Sequence, residues 1–156
     1  MTEGPVRAHS ITAKKGASVY PEPFARLVQG RTKAKLGEVF SLRNFGVNLT
    51  TLDPRGASAL KHCHTVQDEF VYVLEGALTL VYGDEEFAMS AGDCMGFKAG
   101  TGIAHQIVNR SEQPGTYLEI GDRLQNDSVA YPDDDLVAES GPGGSWAFSH
   151  KNGTPY

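Results

Sequence analysis

The sequence predicts an all-β fold, an antiparallel sandwich or barrel, and two observations carry that prediction. Eighteen glycines and eight prolines cut the 156-residue chain into short runs. Those runs alternate with period two, and no long window shows helical periodicity.

Taken in order, residues 1–35 show weak periodicity and the interruption "YPEPF". They read as an N-terminal arm with one or two edge strands. The stretch "NFGVNLTTL" sets Phe45, Val47 and Leu49 on one side and Gly46, Asn48 and Thr50 on the other. "EFVYVLEG" sets Glu69, Val71 and Val73 against Phe70, Tyr72 and Leu74. "ALTLVYGDEEFAM" reads as two strands joined at a Gly-Asp turn. "CMGF", "HQIVN" and "TYLEI" follow as three further short strands. The barrel is therefore expected over residues 36–125.

After Arg123 the composition shifts to Asp, Gly and Pro. Residues 126–156 read as a C-terminal tail that cannot form a core alone. It nevertheless holds the only tryptophan, Trp146, with Phe148 and Tyr156. That aromatic surface is expected to pack on the barrel or on a partner subunit.

Composition narrows the function classes. A net charge of -5 gives no basic footprint for nucleic acid. No apolar run is long enough to cross a bilayer, so no membrane association is expected. The N-terminus lacks the apolar centre of a secretory signal, and the expected location is cytoplasmic. Cys63 and Cys94 are too few for a disulfide framework and read as free, inert thiols, with Cys94 filling space in a strand.

The chemistry concentrates in "GASALKHCHTVQDEFVYVLEG", residues 56–76. Residues two apart on a strand point the same way, so His62 and His64 project together and Cys63 faces away. Imidazoles about 7 Å apart along a strand can converge on one ion. A reversal after Thr65 would return Glu69 beside them and supply an anionic oxygen. His-x-His alone is weak evidence, because paired histidines on an exposed strand are common. Five fixed positions, Gly56, His62, His64, Glu69 and Gly76, match by chance on the order of once in ten thousand such chains.

This spacing resembles the first motif of the cupin superfamily. The second motif is matched by Gly92, Asp93, Gly100, His105 and Asn109 in "GDCMGFKAGTGIAHQIVN". It departs twice: Lys98 stands where Pro is usual, and two extra residues separate Gly100 from His105. The resemblance spans residues 36–137 and is similar in flavour to small single-domain bacterial cupins. It implies a double-stranded β-helix, jelly-roll-like, with a metal held by His62, His64, Glu69 and His105.

The ion expected from that ligand set is a divalent transition metal: Zn, Fe, Mn or Ni. The expected partner is a small-molecule ligand or substrate inside the barrel. Two functions stay open. One is a metal-dependent enzyme of dioxygenase, isomerase or decarboxylase type, with its catalytic residues unassigned. The other is a non-catalytic protein that binds or senses a sugar or carboxylate. Sheet edges need covering, and the expected assembly is a homodimer.

Overall fold

The computed structural model describes residues 4–156. The arm carries β1 (Lys14–Lys15) and β2 (Arg31–Lys35), followed by one helical turn, α1 (Leu36–Val39). Next come β3 (Phe45–Leu52), β4 (Cys63–His64), β5 (Glu69–Glu75), β6 (Ala77–Tyr82) and β7 (Glu85–Ser90). The chain continues with β8 (Cys94–Phe97), β9 (His105–Val108) and β10 (Gly115–Asp122). It closes with β11 (Ser128–Tyr131), β12 (Leu136–Ser140) and β13 (Trp146–Ser149).

Pairing is antiparallel throughout these strands. One sheet runs β1-β2-β3-β10-β5-β8. Facing it are β7-β6-β9 and β13-β12-β11-β4. The latter two are joined edge to edge by bridges from Ala57 to Val108 and from His62 to His105. The result is the all-β, jelly-roll-like arrangement expected from the period-two runs.

The turns explain why the runs stop where they do. β6 and β7 close through Gly83 and Asp84, with Gly83 at φ +59°. Gly76 separates β5 from β6 at φ +81°, and a Cβ there would sit 2.6 Å from the Pro114 carbonyl oxygen. Only glycine fits that corner.

Two cores flank the histidines. Leu52, Val71, Val73, Leu78, Leu80, Met89, Ile107 and Tyr117 fill the space between the facing layers. Leu52 and Val73 are fully buried, each worth roughly 1.5–3 kcal/mol of transfer free energy. The second core joins β11 and β12 to the arm. Val129, Tyr131, Leu136 and Ala138 pack with Phe24 and Leu60, and Trp146 and Phe148 lie against them.

Candidate metal centre

Glu69 opens β5 on the inward face, in line with Val71 and Val73, and is opposed by Phe97 on β8 and Gly121 on β10. Across the barrel, the bridge between His62 and His105 brings the two histidine motifs side by side. Its backbone bonds run both ways, at 3.0 and 2.8 Å. Parity sets the rest: His105, Ile107 and Asn109 alternate inward and are all buried.

Three imidazoles meet one carboxylate oxygen. From Glu69 Oε2 the distances are 3.0 Å to His105 Nε2, 3.5 Å to His62 Nε2 and 3.6 Å to His64 Nε2. Ligand atoms of His62, Glu69 and His105 lie within 4.8 Å of one another. His64 stands just outside that tight group and joins it through Glu69. The structure thus gathers all four residues singled out in the sequence at one point.

Hydrogen bonds on the far side of each ring fix what faces inward. The Leu60 carbonyl accepts from His62 Nδ1 at 2.7 Å. The Asp127 carboxylate accepts from His64 Nδ1 at 2.5 Å. Because an ionised carboxylate and a carbonyl can only accept, each ring in its neutral form carries its proton on Nδ1 and aims a lone pair at Glu69. His105 is held differently, with its ring stacked on Phe97 at 3.6 Å and 2°.

Lone pairs aimed at a carboxylate repel unless a cation or proton lies between them. Glu69 Oε2 is buried and has no hydrogen-bond partner. Such an atom is costly unless compensated. The donor set therefore fits a divalent ion: three neutral imidazoles and one carboxylate, with an orphaned oxygen at their centre.

The electrostatics agree. Burial alone would raise the Glu69 pKa, but His105 and His62 close beside its carboxylate, and the charge that His62 and His64 carry whenever they are protonated, pull it well below the usual carboxylate range. Burial lowers the His105 pKa, and the neighbouring histidines add to that against Glu69. For His62, burial is outweighed by Glu69 and the Leu60 carbonyl, and its pKa rises.

Around this cluster a cleft of about 250 Å³, its open mouth included, is lined by Gln67, Tyr82, Phe97, Lys98, Thr101 and Ile103 among others. Glu69 is the one carboxylate and Lys98 the one lysine or arginine that line it. Cys63 is half-buried, pairs with Ala130 and lies outside the ligand group. Cys94 is exposed on β8, not filling space as expected, because its side chain faces outward beside Tyr72.

Asp127 is what sequence reasoning missed. It is buried, comes from the segment preceding β11, and lies 63 residues from the histidine it holds.

Comparison with known proteins fits this geometry. Residues 48–121 match the family model described as a cupin domain. A crystal structure of a sugar phosphate isomerase from Silicibacter pomeroyi, itself assigned to a cupin superfamily, is 40% identical. The match covers 98% of this chain and 96% of that one, with a TM-score of 0.91. The chain belongs to the cupin superfamily. A second relative, from Acidithiobacillus ferrooxidans, carries the same name provisionally and is 30% identical over 82% of each chain, TM-score 0.73. This cupin also shares its fold with a polyketide cyclase from Streptomyces resistomycificus, 21% identical over 79% of this chain and 81% of that one. That match has a TM-score of 0.63. No curated protein matches the sequence. Among the described residues no helix is long and apolar enough to cross a membrane.

Proposed function

We propose that this cupin binds one divalent transition metal through His62, His64, Glu69 and His105 and isomerises a small phosphorylated sugar. The observation that carries the metal is the buried, unpartnered Glu69 Oε2 with three imidazole nitrogens at 3.0–3.6 Å. The substrate class is supported by the two relatives named for sugar phosphate isomerisation and by Lys98, the one lysine or arginine that lines the cleft.

When bound, such an ion supplies Lewis acidity to a carbonyl or hydroxyl oxygen. The protein's own side chains do the rest. Phe97 holds the His105 ring and closes one side of the cleft to water. Lys98, in place of the usual proline, receives the phosphate end at the rim, with Thr101 and Gln67 beside it. Tyr82 lies directly across from His105 and brings a hydroxyl to the same cleft.

The test is metal analysis of unmodified protein and His62→Ala, followed by turnover assays over phosphorylated aldoses and ketoses. We expect one ion per chain, loss of that ion in His62→Ala, and turnover abolished by chelation. Equal stoichiometry in the variant would remove the ligand assignment. Melting shifts with sugar phosphates but no turnover would instead support a binding or sensing protein. Lys98→Met should raise KM for the phosphorylated sugar by about tenfold with kcat little changed.

For assembly we propose a homodimer across the outer face of the six-stranded sheet. Phe45, Phe70, Tyr72 and Leu74 stand exposed there together. The accessible surface of 9037 Å² exceeds the roughly 7,700 Å² of a compact chain of this mass. Both this face and the open arm contribute to that excess, which is on the order of one protomer's share of a standard interface. A light-scattering mass near 16.8 kDa would remove the proposal.

A further inference from the structure

His64 depends on a residue outside both histidine motifs and beyond the matched residues 48–121. We propose that Asp127 is a positioning residue for the metal centre. Its Oδ2 fixes the His64 tautomer, so that Nε2 presents a lone pair to the ion. This rests on the ligand assignment above and adds to it a part supplied by the C-terminal strands.

The two oxygens of Asp127 have separate tasks. Oδ1 accepts from the Thr65 amide at 3.1 Å, the Thr65 hydroxyl at 3.2 Å, the Val66 amide at 2.8 Å and the Gln67 amide at 3.4 Å. Those donors pin the carboxylate so that it cannot rotate. Oδ2 is left for His64 Nδ1, at 2.5 Å. The Asp127 main chain is clamped in turn: its N–H donates to Ser140 Oγ at 2.8 Å, and its carbonyl accepts from the Ser140 N–H at 2.9 Å.

One buried side chain therefore does two jobs. It holds the His64 ring, and it folds the loop 65–67 that returns the chain to Glu69. The pairing of Val129 with His64 adds a backbone tie at the same place. His62, by contrast, donates to the Leu60 carbonyl of its own segment, and the C-terminal strands give it only a stacked ring, Tyr131. A carboxylate behind a ligating imidazole sets its orientation and raises its basicity, and losing such a partner costs about 10- to 100-fold in metal affinity.

The decisive variant is Asp127→Asn. With Oδ1 still accepting from the loop, the amide nitrogen faces His64 Nδ1, and the ring must move its proton to Nε2. Turning the amide over would confront the Thr65 and Val66 donors with an NH₂ group instead. Imidazole nitrogen NMR on metal-free protein reads the tautomer, and calorimetric titration with Zn(II) reads affinity.

We expect Nδ1–H at His64 in the unmodified protein, Nε2–H in Asp127→Asn, and zinc affinity lowered about 10- to 100-fold. Asp135→Asn, at an exposed aspartate outside the cluster, should leave the His64 tautomer unchanged and keep zinc affinity within about threefold. If unmodified metal-free protein shows Nε2–H at His64, the proposal falls whether or not the variant folds. If the unmodified protein binds zinc and Asp127→Asn binds it equally well, only the Asp127 assignment falls. If the unmodified protein takes up no zinc, the ligand assignment falls with it.

Discussion

The molecule contains two histidine–aspartate pairs of the same local chemistry. His64 Nδ1 donates to Asp127 at 2.5 Å, and His150 Nδ1 donates to Asp135 at 2.8 Å. Their surroundings differ. The side chains of the first pair are 11% and 0% exposed, those of the second 34% and 61%. Behind His64 lies Glu69, with two more imidazoles beyond it. Behind His150 lies the Tyr156 ring, stacked at 3.9 Å. The aspartate alone thus makes no site. What distinguishes the first pair is that its free ring nitrogen points at a buried carboxylate, and the second pair ties down the chain end.

Removing each aspartate breaks this comparison most strongly. Asp127→Ala deletes the acceptor of three backbone amides, one hydroxyl and one imidazole in a buried position. We expect a loss of about 3–5 kcal/mol, measured by denaturant unfolding of metal-free protein. Asp135→Ala removes a solvent-exposed partner, and the unfolding midpoint should stay within scatter. Equal losses would mean that burial is not what separates the pairs.

The next effect is on the ion rather than the fold. Glu69→Gln keeps the side-chain shape and removes the charge that the three imidazoles surround. Zinc affinity should fall by at least about 100-fold, while the metal-free variant should still fold, because the new amide NH₂ can donate to the imidazole nitrogens that Oε2 faced. His150→Ala should leave zinc uptake unchanged. A drop in uptake there would place the second pair within the metal site's reach.

These contrasts also show what one-dimensional reading could and could not find. His62 and His64 share a face by strand parity, and a reversal after Thr65 returns Glu69 to them within one short segment, so the sequence displays their convergence. His105 needed a second segment, and the resemblance of "GDCMGFKAGTGIAH" to a family motif supplied it. Parity also separated buried Val71 and Val73 from exposed Phe70, Tyr72 and Leu74. Asp127 offered no such signal. It sits in "RLQNDSVAY", among polar residues with no periodicity, and its role exists only once β11 pairs with β4. The same holds for β12 and β13: "LVAES" and "WAFS" are too short to declare strands, and pairing with one another makes them so. Tyr20 and Phe24 likewise looked like an open arm. They join the core of that sheet because Tyr131 meets Tyr20 edge-on at 5.8 Å.

The smallest effect sharpens the exposed pair by pH. Asp135 Oδ1 accepts from the Lys151 amide at 2.8 Å while Oδ2 accepts from His150, and these partners hold its pKa below the ordinary aspartate value. A folded-state pKa below the unfolded one means the folded carboxylate stays charged to lower pH. Its contribution is therefore fully present above the ordinary value of about 3.9 and is lost as pH falls through the lowered one. The Asp135 side-chain carboxyl carbon resonance, which reads that group's own protonation, should make its large shift only below that ordinary value. In Asp135→Asn the transition should vanish. Both residues are open to water, so the whole-protein melting point should barely follow the change. A transition that starts above the ordinary aspartate value would show that the lowering is not there, and that the chain end is held by the Tyr156 hydroxyl on the Asp135 carbonyl at 2.7 Å rather than by the carboxylate.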